Sequence, residues 1–514
     1  MKMVKTLLLG TAAGLVAVAG AQAADMPVKA APVQYVKICS LYGDGFYYIP
    51  GTDTCLKLGG FLRFQVETNM GGGGVAVGES AANEFTQGRF TRDLTNDINH
   101  RVLVATSWDI RQQTEYGTLR TYIRFGVQNA TPNQTGAGTS PATFWDRAFI
   151  QFAGFTVGRS QSFFDLFTYG GGMSYHNVRT AGDTGASGQN LWAYTAQFGN
   201  GFSGTLSLED PATHRAGTFD VAVPAFFANG AVMQINDNAF AVNAATGGGF
   251  GFRVPDIVAN LRVDQAWGFA GISGVMHDAS GAYYGAVNSV VNGHPNDKFG
   301  WATAAGIAFN LQGGDQIGVN VCYSQGAAGH CTNNASYQIY NSNTSVGLGW
   351  TSDGVFGTST DIQLTTVWSA LAGYQHIWSP KWRTSLFGGY VNVDYGGSAT
   401  SLITGSQLAV APGFGANPCF AVVPGAGAAT FASVTPLAGN SCNPDYSFYE
   451  IGTRTQWNPV AQLDIGLELL YTHTNTAFKG PALVAATGSR PAVTLIDDQD
   501  VWSAMFRWQR NFYP

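Results

Sequence analysis

Between Tyr449 and Tyr471 the chain alternates apolar and polar residues twice in succession. Tyr449, Ile451, Thr453, Thr455 and Trp457 are interleaved with Glu450, Gly452, Arg454 and Gln456. After Asn458 and Pro459 the alternation resumes, with Leu463, Ile465, Leu467, Leu469 and Tyr471 set against Asp464, Gly466 and Glu468. Period-two alternation of this length predicts β-strands whose two faces meet different surroundings. One face is apolar and carries an aromatic residue where it meets the turn. The other carries carboxylates and arginines, which need water or each other. A wet interior inside a lipid-facing wall is the signature of a transmembrane β-barrel.

The same pattern, followed from Leu56 onward, predicts sixteen antiparallel strands: 56–68, 98–110, 117–128, 144–153, 155–159, 190–199, 201–209, 254–265, 267–276, 298–309, 315–324, 364–377, 382–394, 446–457, 462–473 and 498–512. Every second connection is short, around Gln112, Gly154, Asn200, Ala266, Gln312, Pro380 and Pro459. The others are long and rich in small polar residues, notably 69–97, 160–189, 210–253, 325–363, 395–445 and 474–497. Short periplasmic turns and long outer loops are the topology of outer-membrane barrels. An even strand count lets the last strand meet the first, so that no backbone edge faces lipid. Phe198, Phe202, Trp267, Phe309, Trp378, Trp382 and Trp457 all stand beside short turns. That is the expected place for an interfacial girdle of aromatic rings.

Composition agrees. Only 11% of residues are charged, well under the ~25% of soluble domains. Beyond the N-terminus, no segment has the roughly 20 consecutive apolar residues of a membrane helix. Lys2 and Lys5 precede an apolar run from Leu7 to Gly20, and Ala21, Gln22 and Ala23 form a small-residue cleavage site. This predicts a secretory signal peptide over 1–23, a periplasmic segment over 24–55 and the barrel over 56–514. Losing the two lysines takes the formal charge from −6 to about −8, which makes nucleic acid an unsuitable partner.

Six cysteines in an exported chain point to disulfides. Spacing favours neighbours: Cys39 with Cys55, Cys322 with Cys331, and Cys419 with Cys442. Enzymatic chemistry finds no footing, because the sequence has no GxSxG elbow, no HExxH and no P-loop. The eight histidines show no metal-ligand spacing, and neither a cofactor nor a metal is expected.

Several segments resemble the porin family of alphaproteobacterial outer membranes. These are Pro32 to Gly43, Gly45 to Gly60, Tyr116 to Arg120, Phe149 to Asp165 and Trp378 to Tyr390. The resemblance covers nearly the whole mature chain. It implies a general diffusion porin: a homotrimer seated among outer-membrane lipids, passing small hydrophilic solutes and ions, with the loop after the fifth strand folded inward to narrow the lumen. That loop begins near Ser160; Asp165 and Asp183 are its acids, and Phe163, Phe164, Phe167 and Tyr169 are available to pack on the wall. A substrate-specific channel and a surface adhesin or structural barrel are the alternatives.

With the apolar parity facing lipid, the opposite parity lines the channel. Lys57, Arg63, Gln65 and Glu67 then point inward from the first strand, Arg101 and Asp109 from the second, Arg120, Tyr122 and Arg124 from the third, and Arg507 and Gln509 from the last. Arg63, Arg101, Arg120, Arg124 and Arg507 thus share one arc. An arginine arc keeps its charge, since guanidinium is protonated at any working pH. Facing the loop acids, it would set a transverse field across the lumen. Local pairing with Asp109 or Glu67 is the other reading of the same residues.

Overall fold

The computed structural model describes residues 37–70, 98–130, 142–167, 172–175, 188–220, 253–284, 291, 293–332, 337–341, 345–405, 434–436, 438–484 and 493–512. The segment read as a signal peptide, the loop residues Tyr169 and Asp183, and Cys419 lie outside them.

Sixteen strands form one closed antiparallel ring: β1 (Cys55–Met70), β2 (Ile98–Thr114), β3 (Gly117–Ala130), β4 (Ala142–Phe152), β5 (Phe155–Ser160), β6 (Gln189–Gly199), β7 (Phe202–Glu209), β8 (Asp256–Gln265), β9 (Gly268–Asp278), β10 (Phe299–Asn310), β11 (Gln316–Gln325), β12 (Thr366–Ser379), β13 (Trp382–Asp394), β14 (Tyr446–Trp457), β15 (Leu463–Asn475) and β16 (Gln499–Asn511). The ring closes where β1 pairs with β16, placing Phe64 opposite Trp508 and Gln65 opposite Arg507. Closure leaves no first or last strand with an unpaired edge, as a hydrocarbon surrounding demands.

Away from the bulges, parity follows the predicted rule. On β1, Leu58, Leu62 and Phe64 are exposed while Gln65 and Glu67 are buried; on β16, Trp502, Phe506 and Trp508 are exposed and Arg507 is buried. The aromatic residues beside the short turns all face out, Phe198 and Trp378 being 66% and 67% exposed. Trp382 stacks on Trp457 at 5.7 Å, and Trp267 meets Phe309 at 5.5 Å. Toward the long-loop ends a second set of outward pairs appears: Trp301 with Tyr323, Trp368 with Tyr390, and Tyr471 with Trp502.

The two ends of the barrel are built differently. At the short-turn end, Tyr47–Tyr48 pairs with Leu56 and Cys55, and Cys39 is disulfide-bonded to Cys55. The guanidinium of Arg111 lies over Tyr42 and Phe46, fixing this N-terminal segment to β2. At the long-loop end, Thr218–Asp220 pairs in parallel with Gly354–Phe356, and α1 (Gly396–Gly405) packs beside them. Val355, Phe356, Ile362, Tyr395, Ala399 and Ile403 are all buried there, giving the loops an apolar core of their own. Asp353 knots them together. Its carboxylate accepts from the amides of Gly217 and Ala328, both at 2.9 Å. Cys322 is bonded to Cys331, and Cys442 is also disulfide-bonded.

Candidate functional site

The segment after β5 turns into the barrel and is held to the inner wall strand by strand. Glu209 at the end of β7 accepts from Ser162 Oγ at 2.6 Å and from the Phe163 amide at 3.0 Å. Asn260 of β8 donates to the Phe163 carbonyl, and Ser273 of β9 to that of Phe164, both at 2.7 Å. Farther round, Ser385 of β13 donates to the Met173 carbonyl at 2.7 Å. Glu468 of β15 accepts from the Tyr175 amide at 2.5 Å and from Ser174 Oγ at 3.1 Å. The expected inward loop is therefore present, and its described residues meet the wall at β7, β8, β9, β13 and β15.

Small inward residues make room for it. A Cβ placed on Gly318 of β11 would collide with the Phe167 ring, and one on Gly466 of β15 with the Tyr175 hydroxyl. Glycine at these two places is a steric requirement of the loop's seat. Phe164, Leu166, Phe167 and Met173 are buried as a result. On the short-turn side of this seat, a recess of about 380 Å³ is lined by Leu166, Phe167, Met173, Asp264, Phe269 and Gln316 among others.

Tyr175 ends the described loop on a cationic surface. The guanidinium of Arg507 stands 4.0 Å from its ring centroid and that of Arg454 at 4.9 Å, within cation–π range. Arg507 also donates to the Tyr175 carbonyl at 3.2 Å, and Asp464 accepts from its hydroxyl at 2.8 Å. Arg507, expected on an open basic wall, is thus covered by the loop and only 8% exposed.

The rest of the basic arc resolves into local partnerships. Arg63 donates to Gln509 at 2.7 Å, and Arg101 bonds to Gln128. Arg120 grips Asp109 with both Nε and Nη2, at 3.0 and 2.9 Å; Arg111 holds the same carboxylate at 2.9 and 2.7 Å. Arg124 pairs with Asp146 at 2.9 Å. Beside it, Arg147 donates to Gln161 at 3.3 Å, and Gln161 in turn donates to Asp165 at 3.1 Å. The loop acid Asp165 is accordingly linked to the basic side of the wall through one amide. Asp183 lies outside the described residues.

Asp146 and Arg147 were not singled out in the sequence, for a specific reason. The register of β4 against β3 slips between Arg124 and Phe125, whose partners are Arg147 and Trp145. Such a bulge sets two residues against one and breaks the alternation, so parity stops reporting which way Asp146 faces. Glu209 and Glu468 were missed for another reason, since an acid on the wet parity looks the same whether it meets water or a loop amide. Arg111 could have been found by continuing the parity of Asp109 by one step.

One charged group on the short-turn side is fixed outside the lumen. Asp315 accepts from the Tyr374 hydroxyl at 2.6 Å, from His376 at 2.8 Å and from the Ile377 amide at 2.8 Å. These bonds, the tyrosine's foremost, hold its carboxyl down at about 2.

Comparison with known proteins points in one direction. A family model described as "Porin subfamily" matches residues 25–505. Porin Omp2b of Brucella suis is 34% identical over 280 residues, 53% of this chain and 65% of that protein. Porin Omp2b of Brucella canis is 33% identical over 281 residues, with the same shares. The chain spans 65% of the length of these curated relatives. Among solved structures, the outer membrane channel DcaP of Acinetobacter baumannii aligns with 90% of this chain and 99% of its own at a TM-score of 0.57 and 14% identity, a likeness of fold.

Proposed function

We propose that this chain, which belongs to the porin subfamily, forms a passive, water-filled channel through which small hydrophilic solutes and ions diffuse across the outer membrane. The observation that carries this reading is the division of the inner wall. Residues 161–167 and 172–175 occupy one side on glycines, serines and buried acids, while the side formed by β1 to β4 presents the partly exposed pairs Arg120–Asp109 and Arg124–Asp146. Charged pairs of that kind suit contact with water and passing ions, and charged rings set selectivity in other pores. Arg63, Arg101, Arg120, Arg124 and Asp165 are the groups we assign to the permeation path; Arg507 serves to seat the loop. Assembly as a homotrimer, and a periplasmic position for residues 24–55, complete the proposal. The Cys39–Cys55 bond at the short-turn end supports the latter.

Purified protein in planar bilayers tests it. The expected result is stepwise, ohmic conductance with weak charge selectivity. Saturable block by one sugar or anion would replace this reading with a substrate-specific channel. A folded, heat-modifiable barrel that does not conduct would overturn it in favour of an adhesin or structural barrel.

A further inference from the structure

Two of the scattered histidines and an aspartate meet at the long-loop end of the barrel, away from the permeation path just assigned. Asp256 opens β8, His277 lies one residue from the end of β9, and His330 sits in the turn after β11 next to the disulfide-bonded Cys331. All three side chains are buried. One ligand-capable atom from each lies within 4.8 Å of the other two. His330 Nε2 is 3.4 Å from Asp256 Oδ2, and His277 Nδ1 is 2.7 Å from Asp256 Oδ1. On the other side of the same ring, His277 Nε2 is 3.4 Å from Asp353 Oδ2.

Hydrogen bonding does not complete this cluster. Among the described residues, Asp256 Oδ2, His277 Nε2 and both ring nitrogens of His330 are buried without a hydrogen-bond partner. Buried polar atoms are nearly always satisfied, and His330 Nε2 and Asp256 Oδ2, 3.4 Å apart with no hydrogen bond between them, leave a gap suited to a ligand with strong affinity for nitrogen and oxygen lone pairs. Two imidazoles and a carboxylate are the donor set of zinc and its neighbours among divalent metals. With zinc–nitrogen bonds of about 2.0–2.1 Å, ligand atoms in a tetrahedron stand roughly 3.3–3.4 Å apart, which is the span His330 and Asp256 already have. On the far side of His277, Asp353 stands 3.4 Å from Nε2, placed as an outer carboxylate for a metal-bound ring. The amide bonds that fix the Asp353 carboxylate are the kind of outer support metal ligands receive.

We propose that Asp256, His277 and His330 form a buried site for one divalent transition-metal ion of the zinc class. Enclosure on all sides makes it a structural site rather than one with an open catalytic position. The ion would staple β8 and β9 to the turn after β11. Because Phe164 packs edge-on against His330 at 5.2 Å, the staple would also back the root of the inward loop.

The test uses folded, detergent-solubilised protein stripped by chelator and returned to buffered Zn²⁺ or Co²⁺. One metal ion per chain, a cobalt spectrum of tetrahedral character and a higher unfolding temperature with Zn²⁺ than with chelator are the expected results. His330→Gln and Asp256→Asn are expected to weaken binding by about tenfold or more, whereas His294→Gln, outside the cluster, leaves it unchanged. Wild-type protein that retains neither ion stoichiometrically would overturn the proposal, leaving protons as what these groups hold. Binding unaffected by His330→Gln would do the same. If that variant does not fold, X-ray absorption on the wild-type zinc form decides: two imidazoles with a carboxylate support the site, and any other ligand set removes it.

Discussion

From β7 round to β16, the inward parity carries Asn260, Ser273, Gly318, Ser385, Gly466 and the buried acids Glu209 and Glu468, and a loop of the chain lies on it. From β1 to β4 the same parity carries Arg63, Arg101, Asp109, Arg111, Arg120 and Arg124, long charged groups that bond to one another and to glutamine amides. Both walls alternate with period two and both turn apolar residues to the lipid. They differ in side-chain length and in what the acids do. On the covered wall a carboxylate takes loop amides and a hydroxyl, replacing their water; on the open wall it takes guanidinium groups from neighbouring strands. Short side chains with a buried acceptor make most of the seat for protein, with Arg454 and Arg507 held under Tyr175, and long opposed charges make a surface for water.

The largest effect is expected from spoiling the seat. Gly318→Leu together with Gly466→Leu places side chains where Phe167 and Tyr175 lie. Holding the loop against them would cost roughly 1–3 kcal/mol per site as overpacking, so the loop leaves the wall. Single-channel conductance then rises and residues 161–175 become cleavable by protease, while the barrel still migrates as a heat-modifiable species. Unchanged conductance and protection would show that the covered wall does not depend on its glycines.

Glu468→Ala tests the same wall through its polar anchor and should act less broadly. The Tyr175 amide and Ser174 hydroxyl lose their acceptor, and leaving such groups unmet costs roughly 1–3 kcal/mol. The expected outcome is faster amide exchange confined to the loop's distal part near Met173 to Tyr175, together with noisier open-channel current. Exchange that accelerates equally at Phe163, held by Glu209 instead, would mean the loop is seated as one unit.

On the open wall, Arg120→Glu with Arg124→Glu should change the current and spare the fold. Both ion pairs are partly exposed, and pairs of that kind contribute about 1 kcal/mol or less each. Reversing two charges in the permeation path moves reversal potentials toward cation selectivity. A variant that folds normally and keeps wild-type selectivity would place this arc outside the path. For contrast, Leu119→Arg with Ile123→Arg on the lipid-facing parity of the same strand should impair insertion, since arginine at the midplane of a barrel costs roughly 2–4 kcal/mol.

How far the sequence reaches follows from the same contrast. Parity alone assigns Leu58 and Trp502 to lipid and Gln65 and Arg507 to the interior, and the positions of the turns deliver the sixteen strands, because both signals are local. Whether Arg507 meets water or Tyr175 depends on a contact between residues 332 positions apart, which no local pattern encodes. The bulge in β4 hides Asp146 even from parity. The histidine cluster is hidden by topology: Asp256 and His277 meet at the end of the β8–β9 ladder, but His277 and His330 are 53 positions apart with two strands between them, and only the turn after β11 brings His330 to the pair.

A charged group remote from both walls calibrates these effects and gives the smallest of them. Asp315 sits in the turn before β11, its side chain 13% exposed, with Tyr374, His376 and the Ile377 amide holding its carboxyl at about 2. Its ordinary value is about 3.9. A carboxyl whose value is depressed on folding contributes stability that is fully present above the unfolded value and is lost as pH falls through the folded one. Asp315→Asn should therefore lower the unfolding temperature slightly at neutral pH, and the gap from wild type should close on acidification between ~4 and about 2. Conductance and selectivity should not change at any pH in this range, because the group lies outside the lumen. A selectivity change in Asp315→Asn would mean that the short-turn rim contributes to the field in the pore, and the contrast between the two walls would no longer account for selectivity by itself.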